Sequence, residues 1–346
     1  MFRLFIFVFI IFNFHVFSQI DPIRLNQIRV LASHNSYKRK PDPKVLRFLS
    51  RFKQQLGSSN DPIQLDYGHL SLSQQFNDYG VRGIEIDINY DPKGGLYSKR
   101  KLNLFIPGIR QRVKDKKMKE SGFKVLHIAD VDYETNYLTF KDVLIELKKW
   151  SNDHPNHSPL FVNIEAKGSN PADESRFLKR IGFKKAIPFD LSAYQSLDEE
   201  VYSVLRKDNI FSPDDLKGNY SSIQNRIDEN NWPILSQCMG KIIFILEGSN
   251  DHLYRQNPYL HPMFVYGTPK DVNTAFVLRN DPIGHENEIR ELTKKFIVRT
   301  RSDSGTLEAR RNDHTRFNSA WKSGAQIIST DYYKPDLRFS SFQVKF

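Results

Sequence analysis

The chain has 346 residues, 39% of them hydrophobic, with 26 Phe and 15 Tyr; this composition excludes a disordered chain and suits one large core. Its formal charge of +11 asks for an anionic partner, yet no zinc-finger spacing, RNA-recognition motif or P-loop accompanies the charge, so nucleic acid is not the expected one. Cys238 is the single cysteine, which excludes an internal disulfide; it sits in an apolar stretch before an expected strand and reads as buried and inert.

In chain order, the first element is a leader. Arg3 supplies a short positive start, Leu4 to Phe17 is nearly all Phe, Ile, Val and Leu, and Val16 and Ser18 occupy the −3 and −1 positions before Gln19. The run is too short, and too interrupted by Asn13 and His15, for a membrane span of roughly 20 residues. Residues 1–18 are therefore expected to be a removed signal peptide and 19–346 a single catalytic domain, secreted or periplasmic.

Eight β-like runs follow, at Ile28–Ser33, Gly83–Ile88, Lys124–Ile128, Leu160–Ala166, Lys241–Leu246, Ala275–Leu278, Phe296–Thr300 and Ala325–Thr330. Helical patterns lie between them, near Lys44–Gln55 and Ser71–Tyr79. Another starts at a Thr139/Asp142 capping box, with Phe140, Val143, Leu144, Leu147 and Trp150 at helical spacing. Ile289, Leu292 and Phe296 outline a further helix. A last one runs from Thr306 to Lys322, with Phe317, Ala320 and Trp321 on one side and Gly324 as its C-cap. Alternation of this kind predicts an α/β fold, a distorted (β/α)₈ TIM-like barrel. Insertions are expected, because Asn250–Thr274 shows no clear helix and Gly168–Gly240 is long.

Polar residues end these strands. His34 and Asn35 follow the first, Glu85 and Asp87 lie in the second, His127 in the third, and Glu165 and Lys167 at the fourth. Glu247 closes the fifth, Asn280 and Asp281 the sixth, Arg299 and Arg301 the seventh, and Asp331 the eighth. In a barrel these positions converge on one mouth, where this fold places its chemistry. In Gly83-Ile84-Glu85-Ile86-Asp87-Ile88-Asn89 the isoleucines share one face and the polar residues the other, and Leu160 to Lys167 repeats the pattern. Inward carboxylates need a cation or donors to remain ionised. Glu85, Asp87 and Glu165 with the Asn35 amide form an all-oxygen set, suited to Ca²⁺, with Mg²⁺ as the alternative. His34 and His127 are the groups able to exchange protons near neutral pH.

At these residues the sequence resembles a known family. His34-Asn35-Ser36-Tyr37, Gly83-Ile84-Glu85-Ile86-Asp87, Val125-Leu126-His127-Ile128 and Asn163-Ile164-Glu165-Ala166-Lys167 are similar to motifs of the calcium-dependent phosphoinositide phospholipases C, in their secreted bacterial form. Val298-Arg299-Thr300-Arg301, Glu308-Ala309-Arg310 and Ser329-Thr330-Asp331-Tyr332 continue the match in order. The resemblance implies a phosphoric diester hydrolase that cleaves phosphatidylinositol-type lipids by 2-hydroxyl attack. It further implies His34 and His127 as the catalytic pair and Asn35, Glu85, Asp87 and Glu165 as calcium ligands. Lys167, Arg299 and Arg301 would contact phosphate, and Asp331 and Tyr332 would line the headgroup pocket. For the proton on the attacking hydroxyl, His34, Glu85 and Asp87 are all candidates. The basic stretch Lys99–Lys119 lies outside the familiar pattern and is expected to favour an anionic membrane surface. Two rivals stand beside this reading. Glycerophosphodiester phosphodiesterases share the barrel but typically place Arg where this chain has Asn35. A catalytically dead binding barrel would be expected to have lost a histidine or a ligand, and this chain keeps them all.

Overall fold

A computed structural model describes residues 22–56, 61–248 and 250–346, so the leader and its expected cleavage point lie outside the described residues. The strands are β1 (Val30–Ser33), β2 (Gly83–Asp91), β3 (Gly122–Val125), β4 (Leu160–Ala166), β5 (Ile242–Gly248), β6 (Met263–Val265), β7 (Phe276–Leu278), β8 (Ile297–Arg301) and β9 (Ile327–Thr330). Eight of them run parallel in the order β6-β5-β4-β2-β1-β9-β8-β7, and the two ends meet through the parallel bridge Tyr266↔Phe276. The result is a nearly closed barrel, distorted at the β6–β7 seam.

One expected strand has a different place. The run Lys124–Ile128 is not a barrel stave: β3 pairs antiparallel with the overhanging end of β2, with Ile88 opposite Val125 and Asp91 opposite Gly122. The missing stave is β6, only 3 residues long and too short to show a period in the sequence. It lies inside Asn250–Thr274, where no clear element is legible beforehand.

Alternation along the staves sorts the interior by height. On β4 the inward face reads Phe161, Asn163, Glu165; on β5 it reads Ile243, Ile245, Glu247, and the two strands pair Glu165 with Glu247. The lower barrel is apolar, with Phe161, Ile243, Ile245 and Ile297 buried together and closed below by Leu25 and Trp232. Gly83 allows the close packing there, since a Cβ on it would lie 2.5 Å from Ala32 Cβ. The polar residues are thereby raised toward the C-terminal ends of the strands. Outward, Ile84, Ile86 and Ile88 pack on helices through Phe76, Phe140, Val143 and Leu147. Each such buried side chain contributes about 1.5–3 kcal/mol.

The helix Phe140–Asp153 begins as its sequence predicts. Thr139 Oγ1 accepts from the Asp142 N–H at 3.2 Å, and Asp142 Oδ2 accepts from the Thr139 N–H at 3.2 Å. The stretch Lys44–Gln55 resolves into two short helices, Pro43–Ser50 and Lys53–Leu56. The expected helix from Thr306 to Lys322 is also broken in two, Leu307–Arg311 and Thr315–Ser323, because Asn312 takes a left-handed φ of 52°. Gly324 caps the second piece at φ 82°. Cys238 is buried and its thiol is pushed up to about 12 by that burial, consistent with an inert side chain. Among the described residues no helix is long and apolar enough to cross a membrane.

Candidate active site

The mouth is built from strand ends. After β1 the chain turns sharply, with Asn35 at φ 47°, and the turn is tied to β2 by the Ser36 N–H donating to the Glu85 carbonyl at 2.9 Å. That turn aims His34 across the barrel. Its Nδ1 lies 2.8 Å from Asp331 Oδ1, so Nδ1–H donates to the carboxylate and Nε2 is left as an acceptor. Arg301 agrees with this tautomer: Nη1 donates to His34 Nε2 at 3.0 Å and Nη2 to Asp331 Oδ2 at 3.0 Å. Glu85 Oε1 stands 3.5 Å from the same Nε2. Burial opposes a charge on Asp331, but His34 and Arg301 outweigh it and hold the carboxyl well below the usual range. Behind it, Asp303 accepts the Asp331 N–H at 2.9 Å and is itself pushed up to about 6 by burial and by Asp331.

His127 comes from the β3 hairpin rather than from a barrel strand. A second carboxylate stands behind it, with Asp132 Oδ2 2.8 Å from Nδ1. Asp132 is held in turn by Lys38, whose Nζ is 3.3 Å away and fully buried. Lys38 also donates to the carbonyls of Leu65 (2.8 Å) and Tyr67 (3.1 Å), which fixes its ammonium group. Burial lowers the pKa of His127, with Asp132 opposing the shift. Neither Asp132 nor Lys38 stands out in the sequence. The available signal was an acid five residues after a strand-end histidine, folded back by the Ile128↔Asp132 bridge.

Glu85, Asp87 and Glu165 each bring an oxygen within 4.8 Å of the others. Glu85 pairs with Arg299, and Lys167 Nζ reaches Glu165 Oε1 at 2.8 Å and Asp87 Oδ2 at 3.2 Å. All three cations expected on phosphate therefore rest on carboxylates here, Arg301 on Asp331. Neither oxygen of the fully buried Asp87 is aligned in a hydrogen bond. Burial pushes its pKa well up, only partly offset by Lys167. Against burial, Arg299 and its neighbours hold Glu85 below its usual range, so it is Asp87, with both oxygens open, that is short of a cation, and three carboxylates on rigid strands fit a hard divalent one. Asn35 joins them indirectly: its Oδ1 accepts from the Tyr37 hydroxyl at 3.4 Å, and that hydroxyl also faces Asp87.

Two cavities meet at this cluster. A polar one of about 370 Å³ is lined by His34, Glu85, Glu165, Glu247, Asn280, Arg299 and Arg301. Glu247 accepts from Asn163 Nδ2 at 3.0 Å and is pushed up to about 7 by burial. A larger one of about 910 Å³ shares His34, Glu165 and Arg301 and adds His127. Asp331 reaches its wall with an almost wholly covered carboxylate, serving His34 more than the cavity. Tyr332, expected in the headgroup pocket, lies in neither cavity. It is buried in the core, edge-on to Phe342 with ring centroids 5.9 Å apart.

A barrel whose mouth gathers two aspartate-backed histidines and a carboxylate trio has the groups that proton transfer beside a divalent cation requires. Residues 23–346 match the family described as phosphoinositide phospholipase C, Ca²⁺-dependent, and the chain belongs to that family. Among solved structures it is similar to the calcium-dependent phosphoinositol-specific phospholipase C of a Gram-negative Pseudomonas species. The identity is 16%, with 93% of each chain covered and a TM-score of 0.55. The myoinositol complex of that protein matches at 15% identity, 93% of each chain and TM-score 0.54. A Ca²⁺-dependent phosphatidylinositol-specific phospholipase C from Streptomyces antibioticus matches at 13% identity, with 90% of this chain and 95% of that one covered and a TM-score of 0.51. At such identities the likeness shows the fold. None of the curated proteins compared by sequence matches the chain.

Proposed function

We propose that this protein cleaves phosphatidylinositol-type lipids by attack of the inositol 2-hydroxyl on phosphorus, releasing diacylglycerol and an inositol 1,2-cyclic phosphate. The observation that carries the reading is the pair of histidines, each held at Nδ1 by a buried aspartate at 2.8 Å, beside one carboxylate trio. Asn35, Glu85, Asp87 and Glu165 would hold calcium. An ion held there would lower the pKa of the hydroxyl and offset charge growing on phosphate.

The tautomer favours His34 as the base among the three candidates. Its Nε2 accepts the hydroxyl proton as the new oxygen–phosphorus bond forms, and Asp331 stabilises the resulting imidazolium. Arg301, released from Nε2, is free to donate to a phosphate oxygen. As the bond to the glycerol oxygen breaks, His127 supplies that oxygen with a proton. At rest its lowered pKa keeps it neutral near pH 7, and an anionic phosphodiester alongside favours the charged form. Water later opens the cyclic product: His127 accepts its proton as its oxygen bonds to phosphorus, and the His34 imidazolium returns a proton to the departing 2-oxygen. Glu247 and Asn280 in the polar cavity suit ring hydroxyls and disfavour a further phosphate. A 2-deoxyinositol lipid tests the reading: it should resist cleavage, and turnover equal to that of the normal lipid would instead support direct hydrolysis of the glycerophosphodiesterase kind.

Membrane contact and export belong to the same proposal. Lys99, Arg110, Arg112, Lys114, Lys116 and Lys119 are exposed, on a segment anchored by buried Tyr97, Leu102, Ile106 and Met118. Anionic vesicles should bind this surface more weakly as salt rises. An exported form whose mass begins at Gln19 supports removal of residues 1–18.

A further inference from the structure

The larger cavity is far more apolar than a headgroup needs. Beyond the catalytic residues its walls include Phe48, Leu49, Leu65, Val131, Leu178 and Phe183, with polar residues such as Asp61, Gln64 and Asn170 among them. Three segments outside the barrel strands supply much of this wall: the helices Pro43–Ser50 and Lys53–Leu56 with Phe48 and Leu49, the turn Lys101–Phe105 with Leu102, and the helices Pro171–Glu174 and Arg176–Arg180 with Leu178; Leu65, Val131 and Phe183 lie outside these segments. A buried staple joins the last two. Asp130, at φ 68°, accepts from the Lys101 N–H at 2.8 Å through Oδ1 and from the Lys184 N–H at 2.8 Å through Oδ2. Lys184 Nζ closes the staple on the Lys99 carbonyl at 2.7 Å.

At the outer end, large apolar side chains face solvent on all three segments: Phe52 is 45% exposed, Phe105 47% and Phe177 68%. Exposed cations flank them, Arg47 and Arg51 on one wall and Arg176, Lys179 and Arg180 on the other. An apolar channel with a basic rim suits an anionic lipid surface at its opening.

Orientation follows from the two cavities. His34 lines both, whereas His127 lines only the apolar one. The group that His127 protonates therefore departs on the apolar side, while the ring that carries the attacking hydroxyl lies on the polar side. We propose that the apolar cavity is a subsite for an acyl chain of the leaving diacylglycerol, so that a single lipid molecule is gripped at both ends. This rests on the function proposed above and adds that chain length is recognised by the protein itself and not only by the membrane.

The test uses phosphatidylinositols with two chains of 4, 6 or 7 carbons, all below their critical micelle concentrations, beside the methyl diester of inositol 1-phosphate. Binding by calorimetry and kcat/KM should both improve about two- to fourfold per added carbon, the upper value corresponding to about 0.8 kcal/mol per buried methylene. The double variant Phe105→Ser/Phe177→Ser removes exposed side chains only, so it should flatten that slope and keep wild-type turnover of the methyl diester. Chain-independent binding below the micelle threshold, with a jump only above it, would mean surface insertion without a subsite and overturn the proposal. So would a double variant that loses both substrates alike, or one whose slope is unchanged. Failure of the wild type to turn over any of these diesters would instead count against the proposed function, and the calorimetric slope would still decide the subsite.

Discussion

His34 Nδ1 and Asp331 Oδ1 lie 2.8 Å apart, and Arg301 clamps both partners from the far side. The contact fixes which imidazole nitrogen faces the substrate. Replacing Asp331 by Asn keeps the volume but exchanges one of its two acceptor oxygens for an NH2 donor; with the amide oxygen kept on Arg301, that donor faces Nδ1 and selects the other tautomer. Activity of Asp331→Asn should fall by on the order of 10²–10⁴, mainly in kcat, with the thermal midpoint little changed. Asp132→Asn should impair His127 similarly and also destabilise the protein, because it leaves the buried Lys38 ammonium less well paired. An active Asp331→Asn with an unchanged pH profile would remove His34 from the role of base.

Asp87 carries the metal argument. Asp87→Asn should weaken calcium binding by at least tenfold, read by calorimetry, without unfolding the barrel. Lys167 already contacts Asp87 and Glu165, so an opposite outcome is well defined. If chelation leaves wild-type activity intact, the Lys167 ammonium is the cation that serves the site.

His127→Ala should lose on the order of 10²–10⁴ in rate on phosphatidylinositol. A substrate with a nitrophenolate leaving group needs less protonation, so the same variant should recover most of its rate on it. Equal losses on both substrates would place His127 outside proton transfer to the leaving group.

Away from the mouth, Glu200 on the helix Leu191–Val204 faces the β3 hairpin, and burial pushes it up to about 7 from an ordinary 4.5. Between these values the folded protein holds a proton that the unfolded chain releases. Its contribution to stability is therefore complete below pH 4.5 and is lost as pH rises through 7. Glu200→Gln should raise stability at pH 8 by on the order of 1–3 kcal/mol and leave it nearly unchanged at pH 4. Denaturant melts at the two pH values decide this, and an equal effect at both would indicate repacking.

Much of the barrel was legible because β2 and β4 alternate strictly, which sorts isoleucines outward and carboxylates inward. β6 was not legible, since three residues cannot show a period and its pairing is made with distant strands. His127 was found although its strand was misplaced: a hairpin off β2 brings the residue to the same mouth as a stave would. The partners behind the histidines were hidden for another reason. Asp132, Lys38 and Asp303 act through burial and contact, which only the folded chain reveals. Tyr332 illustrates the converse, a residue of the familiar motif whose ring the fold turns into the core.

The most direct measurement is phosphorus NMR of the products formed from phosphatidylinositol, with calcium added or chelated. The account predicts that inositol 1,2-cyclic phosphate is the first species to appear, that the acyclic monophosphate follows it, and that chelation stops both. Acyclic inositol phosphate or free phosphatidic acid as the first product, with no cyclic ester ahead of it, would contradict it.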